Sequence, residues 1–344
     1  MQKSSQENYC IDFYRFIFSL IIMIYHSWMF TGIYGNGLFN YGFYAVDFYF
    51  IVTGYVMMNS INKRNDKVDN LGKETFNFIY RKIKKIFPAI IVSFLIGIIF
   101  VYGKNINIKL LVSDNIIGES LLLGILGYEM PVNIALWYIS AMIMSLMILY
   151  PFARKDKEKY IYYIAPLILF ITLMLVRKNG IWINAPLHSH FFFRNGFYKA
   201  IIFIILGNLS FKLSNVIKDK KYSRNKIIAL SIVEPLIYIL LIYNMHFNII
   251  GSIFEALLFT FVVALSFSNI TFSKRIFKSI IWKKLGIFGF YVFLSHIPVR
   301  TYLLRHNIHP YNEMLIKYIL ISLAVTTVVY IFVEIILKNY KKNN

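Results

Sequence analysis

Ten stretches of this chain are apolar for close to the 20 or so residues that a helix needs to cross a bilayer. They run roughly from 11 to 33, 41 to 61, 83 to 103, 134 to 152, 160 to 177, 196 to 213, 227 to 244, 250 to 268, 286 to 304 and 313 to 336. With 58% of its residues hydrophobic and a mean hydropathy of +0.60, the chain is too apolar for a soluble domain of ordinary make-up. The longest polar stretches, 62 to 80 and 178 to 195, are too short to hold a soluble domain. The expected fold is an all-α integral membrane protein, a bundle of about ten transmembrane helices forming one domain over residues 1–344.

The net charge of +21 does not point to nucleic acid, because of where the charges lie. Of 37 Lys and Arg, 27 fall on the segments that share a side with the N-terminus. Arg15 stands at the inner end of the first span, and nine remain for the other side, among them Lys199, Arg300 and Arg305. The positive-inside rule then puts both termini in the cytoplasm. The first apolar stretch follows a polar start and has no small-residue cleavage site, so it is expected to stay as a span. The single cysteine, Cys10, excludes an intrachain disulfide and a multi-cysteine metal site, and reads as a buried thiol or a lipidation site beside the membrane. The outer connection 104–133 contains an intermittently apolar segment, Ile106 to Leu126, broken by Asp114, Asn115 and Glu119. It is expected as an interfacial or re-entrant helix, since an eleventh span would invert every later loop. Pro166, Pro235 and Pro298 fall inside spans as expected kinks.

Ionisable groups at membrane depth are functional candidates. Arg15 and His26 are eleven positions apart, so on one helix they return to within roughly 20° of the same face, about 16 Å apart along the axis. Across the short turn near Gly35 to Gly37, His26 and Asp47 sit at similar depth. A carboxylate there would orient the imidazole and strengthen its second nitrogen as a base; the bland alternative is a buried His with another partner and an Asp47 paired elsewhere. At the inner end of the third span, Arg81, Lys84 and Lys85 recur at helical spacings, as a phosphate-binding patch or as a topology signal touching membrane lipids.

Three blocks together resemble a known family: Arg15 with ten residues to His26, Gly42 to Tyr55 (GFYAVDFYFIVTGY), and Arg81 to Pro88. They look like signature blocks of the membrane-bound acyltransferase 3 family, whose surface-glycan O-acetyltransferases are the expected likeness. Leu136 to Pro151, Gly286 to Pro298 and the closing span with Glu334 are similar to its later blocks. The resemblance implies a ten-helix enzyme of the bacterial plasma membrane. It would take an acyl group, most often acetyl, from cytoplasmic acyl-CoA to a hydroxyl of a surface or lipid-linked glycan. It also implies His26 as the catalytic base, Arg15 as an essential partner, and Arg81 with Lys84 at the family's paired basic positions. The sequence departs from the pattern in Thr53-Gly54, where Ser-Gly is usual. It departs again in Lys84, which cannot make the bidentate contact of a second arginine.

A basic mouth with a base about 16 Å deeper suits one extended CoA thioester. In that scheme Arg81, Lys84 and Lys85 hold the phosphates and Arg15 lines the entry. His26, oriented by Asp47, deprotonates the acceptor hydroxyl, with or without an acyl-enzyme. His296, near Pro298 and Arg300, reads equally as a second polar wall beside His26 and as a kink-stabilising group. No metal is expected, because no carboxylate accompanies His188 with His190 or His306 with His309. The stretch Trp182, Asn184, His188, His190, Phe191 to Phe193, Arg194 and Tyr198 suits a sugar or an interfacial aromatic belt. Trp137, Glu234, Glu255 and Glu334 are further polar candidates within spans. Two alternatives remain: transfer of succinyl or another short acyl group, and a non-enzymatic glycan or lipid transporter or polymerase component.

Overall fold

Apolar stretches become helices here because a backbone inside hydrocarbon must bond to itself. They stop where the sequence supplies a cap or a left-handed residue. Asn70 and Ser223 accept from Lys73 N–H and Lys226 N–H at helix starts, while Asn248 and Asn269 adopt φ of 51° and 61° just past helix ends. The computed structural model describes residues 9–31, 37–64, 69–103, 116–190, 192–306 and 311–342. In order come α1 (Cys10–Tyr25, continuing as a 3-10 turn over His26–Phe30), α2 (Ala45–Asn62), α3 (Leu71–Tyr102) and the short α4 (Ile116–Ser120). α5 (Leu136–Lys155), α6 (Lys157–Lys178), a hairpin of β1 (Ser189–His190) and β2 (Phe193–Arg194), and α7 (Asn195–Asp219) follow. The chain closes with α8 (Arg224–Phe247), α9 (Ser252–Ser268), α10 (Ser273–Ile276), α11 (Ile280–His306) and α12 (Tyr311–Lys342).

Eight of the described helices are long and apolar enough to cross a membrane: α1 with its turn, α3, α5, α6, α7, α8, α11 and α12. The other two expected stretches are helical as α2 and α9. α9 has only 17 residues, and α2 carries Asp47, Thr53, Asn59, Ser60 and Asn62 within its 18. The first part of the expected outer helix, through residue 115, lies outside the described residues, as do most of the turn at Gly35, and Phe191 and His309. Its described remainder is the single turn α4 and a 3-10 turn, Gly124–Leu126.

The helices form two intimate pairs, α1 with α11 and α2 with α7. Glycines make both approaches close. A Cβ at Gly54 would overlap the Ile204 carbonyl, and one at Gly207 the Ile51 carbonyl, so α2 and α7 touch backbone to backbone. Gly286 and Gly289 likewise admit Asp12 and Ser19 of α1. Phe18, Phe48 and Phe259 interlock between the pairs, with ring centroids 4.7 to 6.0 Å apart. Glu74 ties the ends of α2, α3 and α5 together: it bonds Arg64, accepts from Tyr150 at 3.0 Å and lies 3.8 Å from Arg154.

Two prolines leave visible marks. Pro166 follows a π turn, Tyr160–Ile164, which relieves its ring from the preceding turn. Pro298 has no N–H to give the Leu294 carbonyl, and Asn133 Nδ2 donates to that carbonyl instead, at 2.7 Å.

Candidate functional site

The Pro298 bend sits beside a cavity of about 260 Å3 whose walls include His26, Trp137, Asn184, Lys199, Phe293 and Arg300. On its α1/α11 wall, Arg300 NH1 donates to His26 Nδ1 at 3.3 Å. A guanidinium can only donate, so Nδ1 is the acceptor and Nε2 carries the proton of the neutral ring. The His296 ring lies against His26, centroids 5.3 Å apart, and its Nδ1 donates to the Val292 carbonyl at 3.1 Å. His296 thus bonds within its own helix and backs the His26 ring, but it does not itself line the cavity.

On the α2/α7 wall, Lys199 is buried and its Nζ lies 2.8 Å from Asp47 Oδ1 and 2.9 Å from Asn184 Oδ1. The expected Asp47–His26 pair is replaced by two separate pairs, Asp47–Lys199 and His26–Arg300. Counting from the turn fixes depth but not direction. α2 turns its first-turn carboxylate toward its partner α7, while the 3-10 turn aims His26 at α11. Glu255 of α9 is buried nearby, within electrostatic reach of Asp47 and Lys199.

The cavity is covered on one side by the segment that precedes the hairpin. Asn184, Pro186 and Leu187 line it, and Trp137 packs on Gly196 at the start of α7. The cover is tied down by polar groups. Glu119 accepts from Val132 N–H at 3.0 Å and Asn133 N–H at 2.5 Å, fixing the Asn133 side chain on the Pro298 bend. Burial pushes the Glu119 carboxyl up to about 7, against those two N–H groups, which favour its charged form. Arg194 reaches across to Glu129 at 3.1 Å, and His190 meets Asn195 at 3.1 Å.

In the other direction, aromatic rings link the cavity to Arg15. Phe293 packs on Tyr138 at 5.5 Å and on Tyr49 at 6.4 Å, and the Tyr49 hydroxyl donates to the Arg15 carbonyl. Arg15 itself bonds Asp12 at 3.2 Å. Asp12 is within electrostatic reach of Lys85 and Lys283, and Lys82 within reach of Arg15 and Lys85. Of the expected basic trio, then, Lys85 shares the cluster of Arg15, Lys84 sits over the Tyr80 ring at 6.0 Å, and Arg81 is exposed.

Four groups escaped the sequence reading as site residues. Lys199 and Arg300 count as ordinary outer cations by topology, although both fall inside apolar stretches and Arg300 is the one Lys or Arg of its own. Lys82 lies three residues before Lys85 and so shares its face. Asp12 is one turn before Arg15. The remaining candidates are structural: Glu234 accepts from Ser266 at 2.6 Å and from the buried Cys10 thiol at 3.6 Å, and Glu334 is exposed on α12. His246 Nδ1 accepts from Phe39 N–H, and among the described residues no three His, Cys, Asp or Glu side chains are grouped to hold a metal.

No curated protein and no solved structure gives a significant match to this chain. A family model described as an acyltransferase domain does, and it spans residues 8–334. That span takes in both helix pairs, the basic end and the cavity with His26. The chain belongs to the acyltransferase 3 family and is a membrane acyltransferase.

Proposed function

We propose that the protein moves an acyl group, acetyl in the first instance, from cytoplasmic acyl-CoA to a hydroxyl of a surface or lipid-linked glycan in the bacterial plasma membrane. The observation that supports this reading is that Arg15 stands beside Lys82 and Lys85 while His26 lines the cavity eleven residues further on, with Tyr49, Tyr138 and Phe293 packed between the Arg15 turn and that cavity. A basic cluster and an imidazole separated along one helix suit a ligand with phosphates at one end and a thioester at the other. Arg81, Lys82, Lys84 and Lys85, with Arg15, hold the phosphates, and the pantetheine arm lies along the tyrosines. The acceptor hydroxyl enters beneath Asn184 and Trp137, where an aromatic face and amide groups suit a sugar. His26 takes the hydroxyl proton, the oxygen attacks the thioester carbonyl, and the departing CoA thiolate takes the proton back. Asp47 acts through Lys199, holding that cation and Asn184 in the acceptor wall.

The test compares acyl content of surface glycans from cells with the gene, without it, and with His26→Ala restored. The gene should raise glycan acetylation and the variant should not, while reaching the membrane in normal amount. Acetylation restored by His26→Ala contradicts the scheme, and a rise in succinyl instead of acetyl replaces the donor.

A further inference from the structure

Arg300 is a buried cation without an acid. It is 9% exposed, and among the described residues no carboxylate lies within ion-pair distance of it. The ionisable groups facing it from neighbouring elements are Tyr25 and His26 of the first helix, His296 one turn back on its own, and Tyr318 of α12. Its Nε has no hydrogen-bond partner, and its NH1 is spent on His26 Nδ1. Lys199, the other cation in the cavity wall, is by contrast engaged by Asp47, Asn184 and the Phe43 carbonyl. Desolvating a guanidinium without a counter-charge is costly, and such an arrangement persists where the charge is used.

Resting on the acyl-transfer reading above, we propose that Arg300 is a catalytic residue: it leaves His26 Nδ1 for the thioester carbonyl oxygen and holds the oxyanion that forms there. Two chemical consequences support this assignment. A negative charge appears on the carbonyl oxygen only during the reaction, so a waiting cation favours the transition state over the ground state. The same movement releases the Nδ1 lone pair, which is the one the ring needs to take a proton.

The step balances. The acceptor O–H gives its proton to His26 Nδ1, and its oxygen forms a bond to the carbonyl carbon. The carbonyl π pair moves to oxygen beside Arg300. On collapse that pair re-forms the carbonyl, the carbon–sulfur bond breaks, and the thiolate takes the proton from His26. Before acyl-CoA arrives, Arg300 occupies the base, so His26 does not act on a hydroxyl alone.

The experiment uses membranes carrying wild type, Arg300→Gln or Arg300→Lys, supplied with radiolabelled acetyl-CoA or, in a parallel arm, radiolabelled succinyl-CoA. It counts label in the membrane and glycan fractions and separately measures acetyl-CoA binding by competition. Arg300→Gln should bind acetyl-CoA within about threefold of wild type and lose on the order of 10²–10³ in transfer rate. Arg300→Lys, which keeps a charge but not the fork, should fall between. Retained binding shows that the Gln variant has folded, and if it has not, the Lys variant carries the same comparison. Transfer by Arg300→Gln within threefold of wild type overturns the inference and leaves the function standing. Loss confined to succinyl-CoA as donor also overturns it, making Arg300 a receptor for a carboxylated acyl chain. Wild-type membranes that transfer nothing, from either donor, remove the function and the inference together.

Discussion

On the α2/α7 side of the cavity, the Lys199 cation meets the Asp47 carboxylate at 2.8 Å; on the α1/α11 side, the Arg300 cation meets a neutral His26 ring at 3.3 Å. Both cations are buried and both sit on a helix of an intimate, glycine-opened pair. The first is neutralised in the resting protein, and the second has its charge left over. A paired charge holds a wall in place, while the unpaired one beside His26 is, in the proposed scheme, available to the reaction. The difference separates what builds the site from what operates it.

Breaking the paired side should give the largest loss of stability. Asp47→Ala leaves Lys199 buried without its acid, at a cost of about 3–5 kcal/mol, read as a fall in the thermal midpoint of detergent-solubilised protein. Replacing both, Asp47→Leu with Lys199→Leu, should bring the midpoint most of the way back, since two apolar groups need no pairing. A double variant as unstable as the single would mean that the pair is not the unit. Next in size is Asn133→Ala, which strips the Leu294 carbonyl of its donor at the Pro298 bend. It should cost about 1–3 kcal/mol and also lower acyl transfer, because the bend carries His296 and Arg300. Intact activity would show that the bend holds without Asn133.

Outside the cavity, Arg81→Ala should weaken the acyl-CoA contact by about 1.5–3 kcal/mol, seen as a higher KM with kcat nearly unchanged. A fall in kcat alone would place Arg81 elsewhere. The smallest effect concerns the cover. The Glu119 carboxyl is raised to about 7 in the folded protein, above its unfolded value, so its stabilising share is complete in acid. That share is lost as pH climbs toward and past 7. Wild type should therefore lose stability between about pH 5 and 8 more steeply than Glu119→Gln, and parallel curves would contradict this.

The helices were legible in the sequence because hydropathy alone demands them, and the polar residues of α2 and the length of α9 explain why eight of the described helices, and not ten, are long and apolar enough to cross a membrane. Arg15 and His26 on one continuous helix followed from periodicity, and the family followed from three short blocks. What did not follow was pairing. Depth along a helix can be counted in residues, but whether Asp47 faces α1 or α7 depends on Gly54 and Gly207 drawing α2 onto α7. Similarly, Asn133 found the carbonyl freed by Pro298 from 161 positions away, a contact with no local signature. Arg300 could have been flagged from its single charge in an apolar stretch, one turn after His296.

In the proposed mechanism His26, eleven residues beyond Arg15 and in the cavity wall, is the group on which acyl transfer turns. Purified protein in lipid nanodiscs, with radiolabelled acetyl-CoA and membrane glycan extract, allows wild type and His26→Ala to be compared directly. The account predicts that His26→Ala elutes and melts like wild type, binds acetyl-CoA comparably, and transfers label about 10²–10⁴ times more slowly. Transfer by His26→Ala at the wild-type rate would contradict it.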